Sequence, residues 1–241
     1  MVFSSLFFIF AFLVLCYGVY LFAPSIKAKN TVLLVFSLIF YAWGGPPLVL
    51  LLCLETLICY VGAHLIWSCN PAPLHEEGGK GGKKAFLTIT VGMCLALLVI
   101  YKYTGFFTDT FCALFGLENL IPKVALPIGI SFFTFQSMNY VIDIYRGKLK
   151  ACRSLLDFSF FVSFFPTLLA GPILRARDFL PQVRQPLNVT REMFGLGLWF
   201  IMIGLFKKAI ISDYIGVNFV NRIFDDPSLY TGLENLLGIY G

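Results

Sequence analysis

Side chains able to do chemistry recur at helical spacing in LPIGISFFTFQSMNYVIDIYRG, residues 126 to 147. Gln136, Asn139, Tyr140, Asp143 and Arg146 fall within one helical stripe about 120° wide, while Phe133, Met138, Val141, Ile142 and Tyr145 lie off it. An amide, a phenol, a carboxylate and a guanidinium on one face can hydrogen-bond and orient a polar reactant. Asp143 and Arg146 are three residues apart and able to pair. Left alone in hydrocarbon, each costs several kcal/mol, so the stripe is expected to face protein or water. A second group stands in FPTLLAGPILRARDFLPQ, where Pro166, Gly171 and Pro172 interrupt an apolar run just ahead of Arg175, Arg177 and Asp178. No spanning helix passes through Gly-Pro unbroken, so this stretch predicts a re-entrant or broken segment lining a cavity. The planar fork of Arg175 suits phosphate groups. The cavity candidates are therefore Gln136, Asn139, Tyr140, Asp143, Arg146, Gly171, Pro172 and Arg175. Plainer alternatives are a charge pair near the headgroups for Asp143 with Arg146, and an interfacial turn for Gly171-Pro172.

Other reactive residues point to less. His64 and His75 are the two histidines. The first reads as a hydrogen-bonded or interfacial residue, the second as a solvated loop residue beside Glu76 and Glu77. Glu55 inside an apolar run requires a partner that the sequence does not name. The seven cysteines include no C-x-x-C pair and lie mostly in apolar segments, where Cys acts as a small hydrophobe. No disulfide framework and no metal site is expected. Asn188-Val189-Thr190 matches a glycosylation acceptor and is discounted on its expected cytoplasmic position. The chain contains no phosphate-cradling glycine loop and no G-x-S-x-G elbow.

The elements that must position these residues are helices in a bilayer. Of 241 residues 59% are hydrophobic and only 13% charged, which excludes an ordinary soluble domain. The 18 basic and 13 acidic residues sit between apolar runs rather than in an aromatic-laced patch, which argues against nucleic acid as a partner and for a role in topology. The fold class expected is an all-α polytopic integral membrane protein with about six to eight spanning or re-entrant helices. Residues 1–241 read as a single membrane domain without an internal repeat.

Expected spans are Val2 to Ala23, uncleaved because its first lysine is Lys27; Thr31 to Trp43; Leu48 to Trp67; Ala85 to Tyr101; Leu126 to Ile144; and Met193 to Ile211. Residues 68–84 form a cytoplasmic loop by their lysines. So does the Lys27/Lys29 connection, which places the N-terminus outside. The portion FFTDTFCALFGLENL after Lys102 reads as interfacial rather than spanning. Leu155 to Leu169 enters and leaves on one face if the arginines on both sides are cytoplasmic. Lys207 and Lys208 fall on the outward side, against the simple charge rule.

The two long polar blocks, with Met1-Val2-Phe3-Ser4-Ser5, FYAW at Phe40 to Trp43 and FKK at Phe206 to Lys208, resemble the bacterial branch of the membrane-bound O-acyltransferase family. The resemblance covers nearly the whole chain, in order. It implies an O-acyltransferase, in particular an acetyltransferase, of the bacterial inner membrane. Such an enzyme binds no cofactor and takes its acyl group from acetyl-CoA or another acyl thioester in the cytoplasm. It also implies three partners: the lipid bilayer, an extracytoplasmic acyltransferase, and a cell-envelope or exported polysaccharide as acceptor. The active-site histidine that the resemblance implies is expected beyond Gly241, which leaves no catalytic residue in this chain. Two rival readings stand beside it: a transporter or exporter, which also uses broken helices and buried charge pairs, and a non-catalytic membrane scaffold subunit.

Overall fold

The computed structural model describes residues 3–69, 80–115, 127–169, 171–186 and 189–240. All regular structure among them is helical. Contacts divide the chain into two compact units, one spanning Leu15–Pro186 and one combining Val2–Val14 with Leu187–Gly241.

In the first unit, α1 (Leu13–Phe22) is followed by α2 (Ile26–Ala42), whose start is fixed by Ser25: its hydroxyl accepts a hydrogen bond from the Ala28 N–H at 3.2 Å. Gly44 and Gly45 turn the chain, and the φ of +149° at Gly45 is one a side chain would resist. Pro46 then opens α3 (Pro46–Ser68) at a position where its missing N–H costs nothing. Next come α4 (Lys80–Phe115), α5 (Ile130–Tyr145), α6 (Leu155–Ser163), α7 (Phe165–Leu168) and α8 (Ala176–Val183). The hub is α3, which touches α2, α4, α5 and α6. Its approach to α4 depends on Gly62, where an added Cβ would sit 2.2 Å from Thr90 Oγ1. Between membrane helices, where lipid is as apolar as leucine, close contact at small residues supplies much of the attraction. The core gathers Leu52, Cys59, Ala63 and Ile66 of α3 with Phe133, Tyr140 and Val141 of α5 and Phe158 and Phe161 of α6.

In the second unit one helix, α9, runs from Arg191 to Asp225 with π-helical turns at Lys207–Ser212 and Gly216–Val220. Thr190 caps its start, Oγ1 accepting from the Met193 N–H at 3.2 Å. The last helix, α10 (Gly232–Tyr240), brings Gly238 against Ile223.

Among the described residues three helices are long and apolar enough to cross a membrane: Pro46–Ser68, Gly82–Phe115 and Arg191–Asp225. Phe8–Phe22 is a shorter apolar helix, and α2 and α5, at 17 and 16 residues, are shorter than a typical span. Several expected boundaries move. The helix expected to stop at Tyr101 continues unbroken to Phe115, so the stretch read as interfacial from Phe106 is helical as far as Phe115; residues 116–126 lie outside the described residues. Thr104 and Thr108 return their hydroxyls to carbonyls one turn back, so these polar residues sit in the helix without interrupting it. The helix expected to end at Ile211 continues to Asp225, so Lys207 and Lys208 stand mid-helix, and Lys208 pairs with Asp213 along the same helix. The loop expected over residues 68–84 is helical from Lys80 onward, and His75 with its neighbouring glutamates lies outside the described residues.

Candidate functional site

The polar face of α5 is held by two long-range bonds. Gln136, buried, donates from Nε2 to the Phe161 carbonyl of α6 at 2.7 Å. Tyr140, also buried, accepts the Cys152 N–H at its hydroxyl at 2.8 Å. Both span the connection from α5 into α6, so the stripe that sequence periodicity assigns to α5 grips the following segment. Asn139 is half-buried. Asp143 is only 9% exposed, whereas Arg146, the C-cap residue, is exposed; among the described residues no ion pair joins them. Arg146 still closes the last turn of α5 through its N–H to the Ile142 carbonyl, but its side chain lies exposed while that of Asp143 is buried, and Gly147 (φ +71°) turns the chain immediately after it.

Phe133 and Val141, assigned by periodicity to the outer face, are 1% and 0% exposed. The buried surface of α5 is thus broader than its polar stripe. Lipid-side exposure falls instead on Phe132, Phe135 and Tyr145.

The second polar block forms a hairpin. From Ser154, whose hydroxyl caps α6 by accepting the Asp157 N–H at 3.2 Å, the chain runs inward through α6 and α7. It reaches the first turn of α5, where Gly129 (φ +81°) lies so close that a Cβ would meet the Leu168 carbonyl oxygen at 2.6 Å. Gly171 is needed for a similar reason, since a Cβ there would lie 2.7 Å from Thr167 Cα. Pro172 and Arg175 are exposed, and the Arg175 carbonyl accepts the N–H groups of Asp178 and Phe179 to begin α8. The chain returns along α8 with Phe179 against Phe160, Phe161 and Phe164. At the open end Arg184 Nε donates to Asp157 Oδ2 at 3.0 Å and clasps the two arms. Residues 155–184 therefore enter and leave at the same end of this unit.

That end is basic. Asn30 of α2 donates to the Val183 carbonyl at 2.9 Å, Tyr60 of α3 donates to the Arg153 carbonyl at 2.9 Å, and His64 Nε2 lies 3.0 Å from the Cys152 carbonyl. With the Arg184 contacts to Asp157 and Cys152, these bonds join the start of α2, the end of α8 and the middle of α3 to the segment between α5 and α6, which carries Arg153. His64 is a hydrogen-bonded histidine stacked edge-on against Tyr60, ring centroids 4.6 Å apart. Cys152 is buried there with its Sγ 3.3 Å from Arg184 Nη2. Burial pushes the Cys152 thiol above its ordinary range, and the adjacent guanidinium offsets only part of that rise, so it remains a protonated structural thiol. Asp157 in turn raises Arg184.

A groove of about 300 Å³ between α2, α3 and α6 is lined by residues such as Leu34, Leu38, Leu52, Leu57 and Ser163, and by none of the eight nominated residues. Sequence reasoning missed Asn30, Tyr60, Asp157, Arg184 and the Cys152 backbone. Polar residues at the ends of apolar runs were their only signal, and periodicity does not register isolated residues in loops.

A helical, apolar chain with three candidate spans among the described residues defines a polytopic membrane protein. The family model of the membrane-bound O-acyltransferases matches residues 148–229, the hairpin and the whole of α9. A probable alginate O-acetylase of Pseudomonas putida is 39% identical over 90% of this chain and 44% of its own length. A peptidoglycan O-acetyltransferase of Helicobacter pylori is 30% identical over 88% of this chain and 45% of its own. A teichoic acid D-alanyltransferase of Bacillus subtilis is 32% identical over 47% and 29%. The chain belongs to the membrane-bound O-acyltransferase family. It spans about half the length of the curated relatives it matches most fully. No solved structure matches it.

Proposed function

We propose that this chain is part of a bacterial inner-membrane O-acyltransferase. It would move acyl groups, acetyl in the first instance, from a cytoplasmic thioester such as acetyl-CoA toward a cell-envelope or exported polysaccharide, with an extracytoplasmic partner completing the transfer. The relatives' names describe moving acetyl or D-alanyl groups, both acyl groups, onto alginate, peptidoglycan or teichoic acid. The single observation that carries the reading is the hairpin of residues 155–184. It lies within the family-matched segment and has Arg153 and Arg184 at its open end. A thioester donor carrying phosphates is an anion, and basic side chains attract it. Arg175, exposed at the other end of α8 from Arg184, is free of ion pairs among the described residues and is the guanidinium assigned to the donor's phosphates.

The test is acetyl content of the envelope polysaccharide in a deletion strain complemented with the full-length protein. Arg175→Ala lowers acyl transfer while membrane insertion stays intact. A loss of expression without a change in transfer per inserted molecule would assign Arg175 a structural role and remove it from the donor site.

A further inference from the structure

The groove of about 300 Å³ between α2, α3 and α6 lies within the first unit and is used neither by the α5 stripe nor by the hairpin clasp. Its direction follows from hydrogen bonds at its ends. Asn30, near the start of α2, donates to the Val183 carbonyl at 2.9 Å, and the next residue, Arg184, is bonded to Asp157 in the first turn of α6. Two turns on, Ser37 Oγ accepts the Phe165 N–H just past the end of α6 at 3.2 Å. Helix α2 therefore runs beside α6 in the same direction and is pinned at both ends. Helix α3 runs the other way, since Tyr60 donates to the Arg153 carbonyl. One end of the groove is thus walled by Leu34, Leu57 and Leu155, next to Arg153, and the other by Leu38 and Ser163.

The walls suit hydrocarbon. Besides the leucines they carry Thr56 and Ser163, whose hydroxyls donate back to the Leu52 and Ser159 carbonyls of their own helices at 2.7 Å and need no water. Leu57 and Leu155, 49% and 45% exposed, form an open rim, and beside a spanning helix such as α3 the surroundings are lipid. From Leu155 to Ser163 the groove extends ~12 Å at the helical rise, against ~15 Å for the hydrocarbon of one leaflet. It accommodates most of one lipid tail. The charge at one end matches a phosphate. Arg153 is exposed, forms no ion pair among the described residues and stands two residues before Leu155. The Arg184 guanidinium remains 54% exposed while it holds Asp157. Lys27, also exposed, lies two turns ahead of Leu34 on the same face of α2, because a heptad returns a helix to within about 20°.

We propose that this groove binds one acyl chain of an anionic phospholipid, whose phosphate is met by Arg153, Arg184 and Lys27. The bound lipid braces α2 and α3 against the outer side of the hairpin. Arg175, the guanidinium assigned to the acyl donor, stands at the other end of α8, and lipid capture is read without acyl transfer. The inference therefore holds or fails independently of the acyl-transfer reading.

Photo-crosslinking of the full-length protein in lipid nanodiscs tests it, with phosphatidylglycerol or phosphatidylcholine carrying a diazirine in the acyl chain. Crosslinks are expected on the groove-lining segments of α2, α3 and α6, several-fold stronger with phosphatidylglycerol. Leu57→Trp fills the rim from an exposed position and should cut this labelling several-fold without moving the thermal midpoint. Leu54→Trp, equally exposed on α3 but outside the groove, should leave it intact. The double variant Lys27→Gln, Arg153→Gln should abolish the preference between the two lipids. Labelling spread evenly over exposed helix faces overturns the proposal, because the lipid then merely surrounds the protein. Equal capture of the two lipids by the wild-type protein overturns it as well, as the basic end would then select nothing. So does loss of the phosphatidylglycerol crosslink on adding acetyl-CoA, which would give the basic end to the donor.

Discussion

Helices α3 and α9 are both long and apolar enough to span a bilayer, yet 44% of the most apolar stretch of α3 is buried inside the structure and 0% of that of α9. Composition does not separate them. The difference lies in what each helix presents at close range. Helix α3 carries Gly62 against Thr90, Glu55 inside the core and Tyr60 and His64 bonded to the segment between α5 and α6. Helix α9 carries Gly195, Gly197 and Gly204 with nothing near them. In a membrane, greasiness places a helix in the bilayer, while packing requires a small residue set against a partner, as Gly62 is against Thr90; glycines alone do not supply it.

The contrast can be broken most forcefully at glycines. Gly129→Ala combines a left-handed backbone with a collision against the Leu168 carbonyl and should cost ~3 kcal/mol or more, read as a lower thermal midpoint in detergent. A neutral result would mean the hairpin does not rest on α5. Tyr140→Phe removes the acceptor for the buried Cys152 N–H and should cost about 1–3 kcal/mol in the same assay. Arg184→Gln opens the clasp with Asp157; because the arginine is half-exposed the loss should be only about 1 kcal/mol, and faster proteolysis near residue 184 would report it. Gly197→Ala on α9 should be neutral or stabilising by roughly 0.5–1 kcal/mol through helix propensity alone. Destabilisation there would show that α9 packs tightly through that face.

Much of the fold was legible. The runs that became α2, α3 and α5 stood out by hydropathy, the glycine-proline turn before α3 by its residues, and the break at Gly171-Pro172 by the chemistry of proline. The hairpin's entry and exit at one end followed from arginines on both sides of a short apolar run. Helix ends were less legible, because nothing polar enough interrupts residues 80–115 or 191–225 to mark a boundary. At the candidate site, the α5 stripe was visible as spacing, but its partners were not. Gln136 meets a backbone carbonyl, and Tyr140 meets a backbone N–H. Every residue offers those groups alike, so no side-chain pattern announces them.

By itself the sequence determined that this chain lives in a bilayer as helices, because 59% apolar residues in runs of membrane length admit no other solution for backbone hydrogen bonds. Only the tertiary structure decided that Asp143 and Arg146 part company, and that Arg184 rather than Arg175 clasps the hairpin. The physical reason is range. Hydropathy and periodicity act along a helix, whereas hydrogen bonds and close packing act over a few ångströms between residues as far apart in sequence as Asn30 and Val183.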